Sequence, residues 1–134
     1  MRLYLDSAPI IYLIEQSPRY AAAVDELVQN PTTQIITSEL ARLECRVKPL
    51  RDANTELLAD YDQFFAEVAT EIVPLSRAVV DRATEIRANY GFRTPDALHL
   101  AAALLFSCDQ FLTNDGRLDR YEAITVTLVD DLLS

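Results

Sequence analysis

Glycine is nearly absent from these 134 residues, with Gly91 and Gly116 the only two. That excludes the phosphate-cradling loops built on several glycines, both the dinucleotide fingerprint and the P-loop. There is one histidine, His99, and there are two cysteines, Cys45 and Cys108, far apart and each beside apolar residues. Two cysteines are too few to hold zinc unaided, and both read as reduced, semi-buried thiols of a cytoplasmic protein. No apolar run reaches bilayer-spanning length. No basic stretch followed by a long apolar one opens the chain, so neither membrane anchor nor signal peptide is expected. Positive charge is also scarce, 12 Lys and Arg against 21 Asp and Glu, for a formal net charge of −9. A generic nucleic-acid coat needs a basic surface and is excluded. An enzyme that reaches nucleic acid through metal ions is not, because acids in a metal site count as negative in the tally and are neutralised by the cation.

The residues that are present describe an ordinary core. Half are apolar, enough for one domain over residues 1–134. The basic residues are uneven: Arg42, Arg46, Lys48 and Arg51 fall within ten positions, whereas the last fourteen residues, from Tyr121, contain none.

Apolar patterning predicts strands at Leu3–Leu5, Gln34–Thr37, Ile72–Leu75, Gln110–Thr113 and Thr125–Val129, the last an edge strand by its alternating threonines. Helical spacing predicts helices between them. The first is capped by Ser7, with Pro9 in its first turn. The second runs from Arg19 to Val28. The third is capped by Ser38, carries Leu40, Leu43 and Val47 as its apolar stripe, and stops before Pro49. A longer helix covers Asp52–Val68, and another runs from the Ser76 cap to Tyr90, closed by Gly91. The last, Asp96–Phe106, has Thr94 as N-cap and is apolar nearly all round, hence buried. A short helical segment is expected near Leu118–Tyr121. Strands alternating with helices predict an α/β fold, a three-layer α/β/α sandwich with a central, mostly parallel five-stranded sheet.

Four acids occupy matching places in that scheme. Asp6 ends the first strand, and Asp115 follows the fourth by two residues. Asp96 lies in the first turn of the buried helix. Glu44 falls within the arc of Leu40, Leu43 and Val47, where an acid is costly unless it is paired or binds a cation. Parallel strands share a carboxyl edge, so Asp6 and Asp115 become neighbours there, within reach of the Asp96 helix. Carboxylates crowded in one pocket repel, and a divalent cation removes the conflict. Oxygen donors without a histidine cluster favour Mg²⁺ or Mn²⁺ over zinc.

Four segments resemble the PIN domain, and most closely the VapC-type ribonuclease toxins of toxin–antitoxin modules. They are Tyr4-Leu5-Asp6-Ser7, the stretch Thr37 to Glu44, Thr94-Pro95-Asp96-Ala97-Leu98-His99-Leu100-Ala101-Ala102-Ala103, and Phe111-Leu112-Thr113-Asn114-Asp115. The third is the most specific and the second the loosest. The resemblance implies a Mg²⁺-dependent RNA-cleaving site at Asp6, Glu44, Asp96 and Asp115. Asp6, Asp96 and Asp115 would ligate the metal, and Glu44 would orient the attacking water or hold a second ion. Asp119 is an auxiliary candidate, and Glu39, five positions from Glu44, points elsewhere. The resemblance also implies an RNA substrate, a VapB-like antitoxin whose tail inserts an arginine among the acids, and a homodimer.

Around the acids, the Ser7 and Thr113 hydroxyls are candidates to fix carboxylate rotamers. Arg42, Arg46 and Lys48 are candidates to meet substrate phosphates. Each residue also has an ordinary role. Asp6 can cap a helix, and Asp96 suits a helix dipole. Asp115 before Gly116 suits a turn, and Glu44 can pair with Arg42 or Lys48. His99 either orients Asp96 or is a satisfied core residue, and the basic cluster is by default a solvated helix face. The competing functional readings are a catalytically inert PIN scaffold acting as a binding module and a phosphoaspartate enzyme or receiver. The latter is disfavoured by Ala8, which stands where a second Asp is needed, and by Lys48 being the sole lysine.

Overall fold

A computed structural model describes residues 1–133. Five strands form one sheet in the order β3-β2-β1-β4-β5, every neighbouring pair parallel. They are β1 (Arg2–Leu5), β2 (Gln34–Ser38), β3 (Glu71–Val73), β4 (Gln110–Thr113) and β5 (Thr125–Leu128). The central β1 lies between β2 and β4, which is why its residues Leu3, Tyr4 and Leu5 are fully buried. Alternation along the strand sends neighbours to opposite faces. Leu3 and Leu5 join a core with Val24, Tyr61 and Phe64. Tyr4 joins Val79, Ile86, Leu100 and Phe111 on the other side.

Six helices cover the two faces. On one side lie α1 (Ser7–Ile14), α2 (Ala21–Gln29), α3 (Glu39–Arg51) and α4 (Thr55–Gln63), and on the other α5 (Arg77–Tyr90) and α6 (Thr94–Leu105). The alanines of α6, Ala97 and Ala101–Ala103, are essentially unexposed; side chains that small let α5 and the sheet approach closely. The layered parallel architecture agrees with the expected class, and β5 is an edge strand.

Several boundaries differ from the predicted ones. Pro49 does not stop α3, which continues to Arg51 with Pro49 buried inside it. The ring removes one helical donor near the helix end, and its packing outweighs that loss. The predicted Asp52–Val68 helix is two elements: Asn54 caps α4 at Thr55, and a π-helical turn, Phe64–Val68, replaces its last part. That turn buries both Phe64 and Phe65 and leaves Val68 exposed. The second helix starts at Ala21 rather than Arg19. Asp6, not Ser7, caps α1, and Arg93, not Thr94, precedes α6. The third strand ends at Val73, just before Pro74.

The apolar stripe assigned to α3 is also wrong. Leu43 and Val47 are 55% and 49% exposed, and the buried side is Ala41, Cys45 and Pro49. The cysteines are free, Cys45 buried and Cys108 half-buried. Among the described residues, no helix is long and apolar enough to cross a membrane.

Candidate functional site

The site forms where β1 and β4 end together. The Leu5–Leu112 register is followed by a hydrogen bond from the Asp6 N–H to the Leu112 carbonyl at 3.0 Å, so Asp6 sits just past the paired region. Its carboxylate is almost fully buried and held at both oxygens. Oδ1 accepts from the Ser7 N–H at 2.7 Å, and Oδ2 accepts from the Thr113 hydroxyl at 2.8 Å. Thr113 thus fixes the Asp6 rotamer, as expected, whereas Ser7 acts through its backbone N–H. The Thr113 Oγ1 in turn accepts from the Asp115 N–H at 3.1 Å, coupling the two acids at the sheet edge.

All four predicted acids, Asp6, Glu44, Asp96 and Asp115, line one cavity of about 580 Å³ with Tyr12, Arg93, His99 and Thr113. Glu44 reaches it although the face argument that placed it there fails: it flanks the buried Ala41 and Cys45 side of α3 and is half-buried. Asp119 is exposed and does not line the cavity. Glu39 points away and pairs with Arg42 at 3.5 Å. Arg42, Arg46 and Lys48 do not line the cavity either, and Arg46 is tied to Asp62 at 2.8 Å.

His99 does not turn to Asp96. Its Nε2 lies 2.7 Å from Glu44 Oε1 and 3.3 Å from Asp6 Oδ1, and its Nδ1 lies 2.7 Å from the Tyr4 hydroxyl. Tyr4 in turn donates to Ser38 Oγ at 2.8 Å, the oxygen that caps α3 by accepting from the Ala41 N–H. A buried chain of polar groups therefore runs from the α3 cap through Tyr4 and His99 to Glu44. Tyr4 and His99 stand 95 residues apart, and no local signal couples them. The clue that a sequence offers is that a buried tyrosine and a buried histidine each need a polar partner.

Two arginines are further members of the site that the sequence does not single out. Arg117 grips Asp115 with Nε at 2.9 Å from Oδ1 and Nη2 at 2.6 Å from Oδ2. Arg93 reaches Asp96 at 3.3 Å and Asp115 at 3.9 Å. Their closeness along the chain, Arg93 just before Asp96 and Arg117 just after Asp115, is the signal that could have found them.

The acids therefore divide into two kinds. Asp96 and Asp115 have arginine partners; among the described residues, Asp6 and Glu44 have only His99 as a potential cation. Burial pushes the Asp96 carboxyl above its ordinary value, and Arg93 offsets only part of that. The Arg117 hydrogen bond holds Asp115 below its ordinary value. Burial on its own lowers the pKa of His99, but Asp6 and the hydrogen-bonded Glu44 outweigh it and raise it. Burial drives the Tyr4 phenol well upward, so it remains a neutral hydrogen-bonding group.

No curated protein matches the sequence. Solved structures do match the fold. VapBC from Salmonella typhimurium bound to DNA aligns with a TM-score of 0.78 at 15% identity, covering 96% of this chain and 98% of that one. VapBC2 from Rickettsia felis, bound to a DNA fragment from its promoter, gives 0.75 at 17% identity, with 96% and 98% covered. VapC20 from Mycobacterium tuberculosis, a toxin that cleaves the sarcin–ricin loop, gives 0.68 at 10% identity, with 90% of each covered. Identities this low speak for the fold alone. The sequence model of the PIN domain, in contrast, matches residues 3–124, a span that runs from the first strand to past Asp115 and includes all four acids. The chain belongs to the PIN domain family.

Proposed function

We propose that the protein is a Mg²⁺-dependent endoribonuclease, with Mn²⁺ as an alternative ion, and the toxin half of a toxin–antitoxin pair. The observation that carries this reading is the cavity in which four carboxylates meet and two of them, Asp6 and Glu44, have His99 as their one facing cationic group among the described residues. The donor set fits a hard divalent ion, because its charged donors are carboxylate oxygens. One atom each from Asp6, Glu44 and His99 lie within 4.8 Å of one another. Asp6 and Asp96 are assigned as direct ligands, and Asp115 as a ligand directly or through water. When bound, the ion supplies polarisation of the scissile phosphate and lowers the pKa of water towards neutrality.

The chain's own residues do the rest. The Thr113 hydroxyl and the Ser7 N–H hold the Asp6 carboxylate in one rotamer, which spares reorganisation when charge arrives. Glu44 accepts a proton from the attacking water at a carboxylate oxygen. His99, held by Tyr4, keeps Glu44 aimed into the cavity.

RNA as substrate is supported by the PIN fold and by the structural relative that cleaves the sarcin–ricin loop. A VapB-like antitoxin as partner is supported by the structural relatives that are VapBC assemblies. A groove of about 430 Å³ between α1, α2 and α4 fits such a partner. Leu13, Val28, Phe64 and Val68 supply its apolar surface, and Asp25, Asp60 and Glu67 suit a basic segment. A homodimer is part of the same reading, with the exposed Leu43, Val47, Leu50 and Leu75 as apolar surface available to it. A cytoplasmic location belongs to the same reading.

The test is incubation of the purified chain with RNA in Mg²⁺, in Mn²⁺ and in EDTA, beside Asp6→Asn and Asp96→Asn, with the product ends sequenced. Ion-dependent cleavage by the parent and none by either variant is expected. Equal cleavage by parent and variants refutes the reading. Ion binding without cleavage would leave an inert PIN scaffold.

A further inference from the structure

We propose that a groove beside the acids, walled by Arg93, Arg117 and Arg120, binds the phosphodiester backbone of RNA where the strand leaves the acid cavity. This rests on the endoribonuclease reading and adds to it a place for the substrate. The groove has a volume of about 370 Å³ and shares Arg93, Asp96 and Gly116 with the acid cavity, so a strand can run from one into the other. Among the described residues Asp96 is the only acid lining it, beside three arginines, in a chain whose net charge is −9.

The three arginines are held differently. Arg120 lies with its guanidinium 4.3 Å from the centre of the Phe92 ring and 5.6 Å from that of Tyr90, and it donates to the Tyr90 carbonyl. Among the described residues no carboxylate forms an ion pair with it, so its remaining N–H donors are pre-oriented and available to an oxyanion. Arg93 and Arg117 have 66% and 60% exposed side chains and rest on Asp96 and Asp115. Gly116, between the two cavities, has nothing within 4 Å of a Cβ placed on it and no left-handed φ. The fold does not demand glycine there, and its lack of a side chain keeps the passage open to a backbone approaching from outside.

The basic residues of α3 provide the contrast. Arg42 and Arg46 carry the same charge, but they pair with Glu39 and Asp62 and line neither cavity.

The test uses the full chain carrying Asp6→Asn, in which cleavage is expected to be lost, and a fluorescein-labelled single-stranded RNA of about 12 nucleotides. Fluorescence anisotropy in Mg²⁺ is read across a salt series. Arg93→Gln, Arg117→Gln and Arg120→Gln in that background are each expected to weaken binding several-fold. Together they should weaken it by roughly 100-fold, with the log–log salt slope falling by about 0.7 for each phosphate no longer neutralised. Arg42→Gln with Arg46→Gln should leave both quantities within about two-fold of the Asp6→Asn chain. Arg117→Gln removes an exposed side chain together with its pairing to Asp115, and keeps the test valid should Arg120→Gln unfold. An arginine triple variant, or Arg117→Gln alone where the triple unfolds, with unchanged affinity and slope overturns the proposal. If the parent chain still cuts RNA in that case, the nuclease reading stands alone. Arginine-dependent binding by a parent chain that cuts nothing would keep the groove and remove the nuclease reading. A chain that neither binds nor cuts removes both.

Discussion

Arg2 and Asp6 stand four residues apart, at opposite edges of the same sheet, and their surroundings differ in kind. The Arg2 guanidinium meets both oxygens of Glu71 at 3.1 Å and donates to the Phe106 carbonyl from Nε and Nη2, while the Arg2 N–H donates to Asp109 at 2.8 Å. Charge at the amino edge is matched by opposite charge and closes the fold. At the carboxyl edge Asp6 shares its cavity with Glu44, Asp96 and Asp115, and among the described residues the only groups of opposite sign are two arginines on the outer acids and one histidine. Like charges at that density oppose one another until a cation enters. The same parallel architecture thus supports a settled edge and an unsettled one, and the unsettled one is where a site is worth seeking.

The sharpest way to break the comparison is to neutralise one acid at each edge. Asp6→Asn keeps a good helix cap, so the fold should persist. Ion binding measured by calorimetry should nevertheless fall by at least ~100-fold, since loss of even an outer partner of a ligand costs up to that much. Cleavage should disappear with it. Glu71→Gln should leave ion binding and cleavage unchanged. Equal effects at both edges would mean that the cavity acids are not what holds the ion.

Next in size is His99. His99→Gln keeps a polar group of similar reach but carries no charge to set against Asp6 and Glu44. A drop of roughly 10–100-fold in ion affinity or cleavage is expected, and Tyr4→Phe should produce a smaller drop in the same direction. An effect on thermal stability alone, with ion affinity intact, would make His99 a core residue and nothing more.

Adding the ion should itself remove the asymmetry. At about 100 times its dissociation constant, a ligand that binds only the folded chain stabilises it by about 2.7 kcal/mol. Urea unfolding with and without Mn²⁺ should show that gain in the parent and in Glu71→Gln but not in Asp6→Asn. Stabilisation surviving in Asp6→Asn would place the ion elsewhere.

How far these positions can be read in advance follows from what decides them. Asp6 and Asp115 follow from strand ends, because all parallel strands deliver their carboxyl ends to one edge, and Asp96 follows from a cap pattern before a buried helix. The layered fold is legible for the same reason. Glu44 is reached by a face assignment that the structure reverses: Leu43 and Val47 look outward, and small Ala41 and Cys45 look in. Hydrophobicity alone cannot separate an apolar face turned to the core from one left on the surface. Pro49 and the π-helical turn at Phe64 are cases where tertiary packing overrides a local rule. Arg93 and Arg117 resemble any exposed arginine until their partners are in place.

The smallest expected effect concerns the settled edge itself. The Arg2 and Glu71 side chains are 26% and 38% exposed, so solvent screens part of their attraction. Glu71→Gln preserves shape and one acceptor for the guanidinium, and loses the charge and the second hydrogen bond. About 0.5–1 kcal/mol of stability should go with them, within the range of partly exposed ion pairs. That loss should shrink in about 1 M salt, where the Debye length falls to roughly 3 Å. A loss of this size that fades with salt and leaves ion affinity untouched is what an edge built to close the fold predicts. A salt-insensitive loss would instead trace to the carbonyl of Phe106 losing its arginine, and would make geometry rather than charge the reason that the amino edge is quiet.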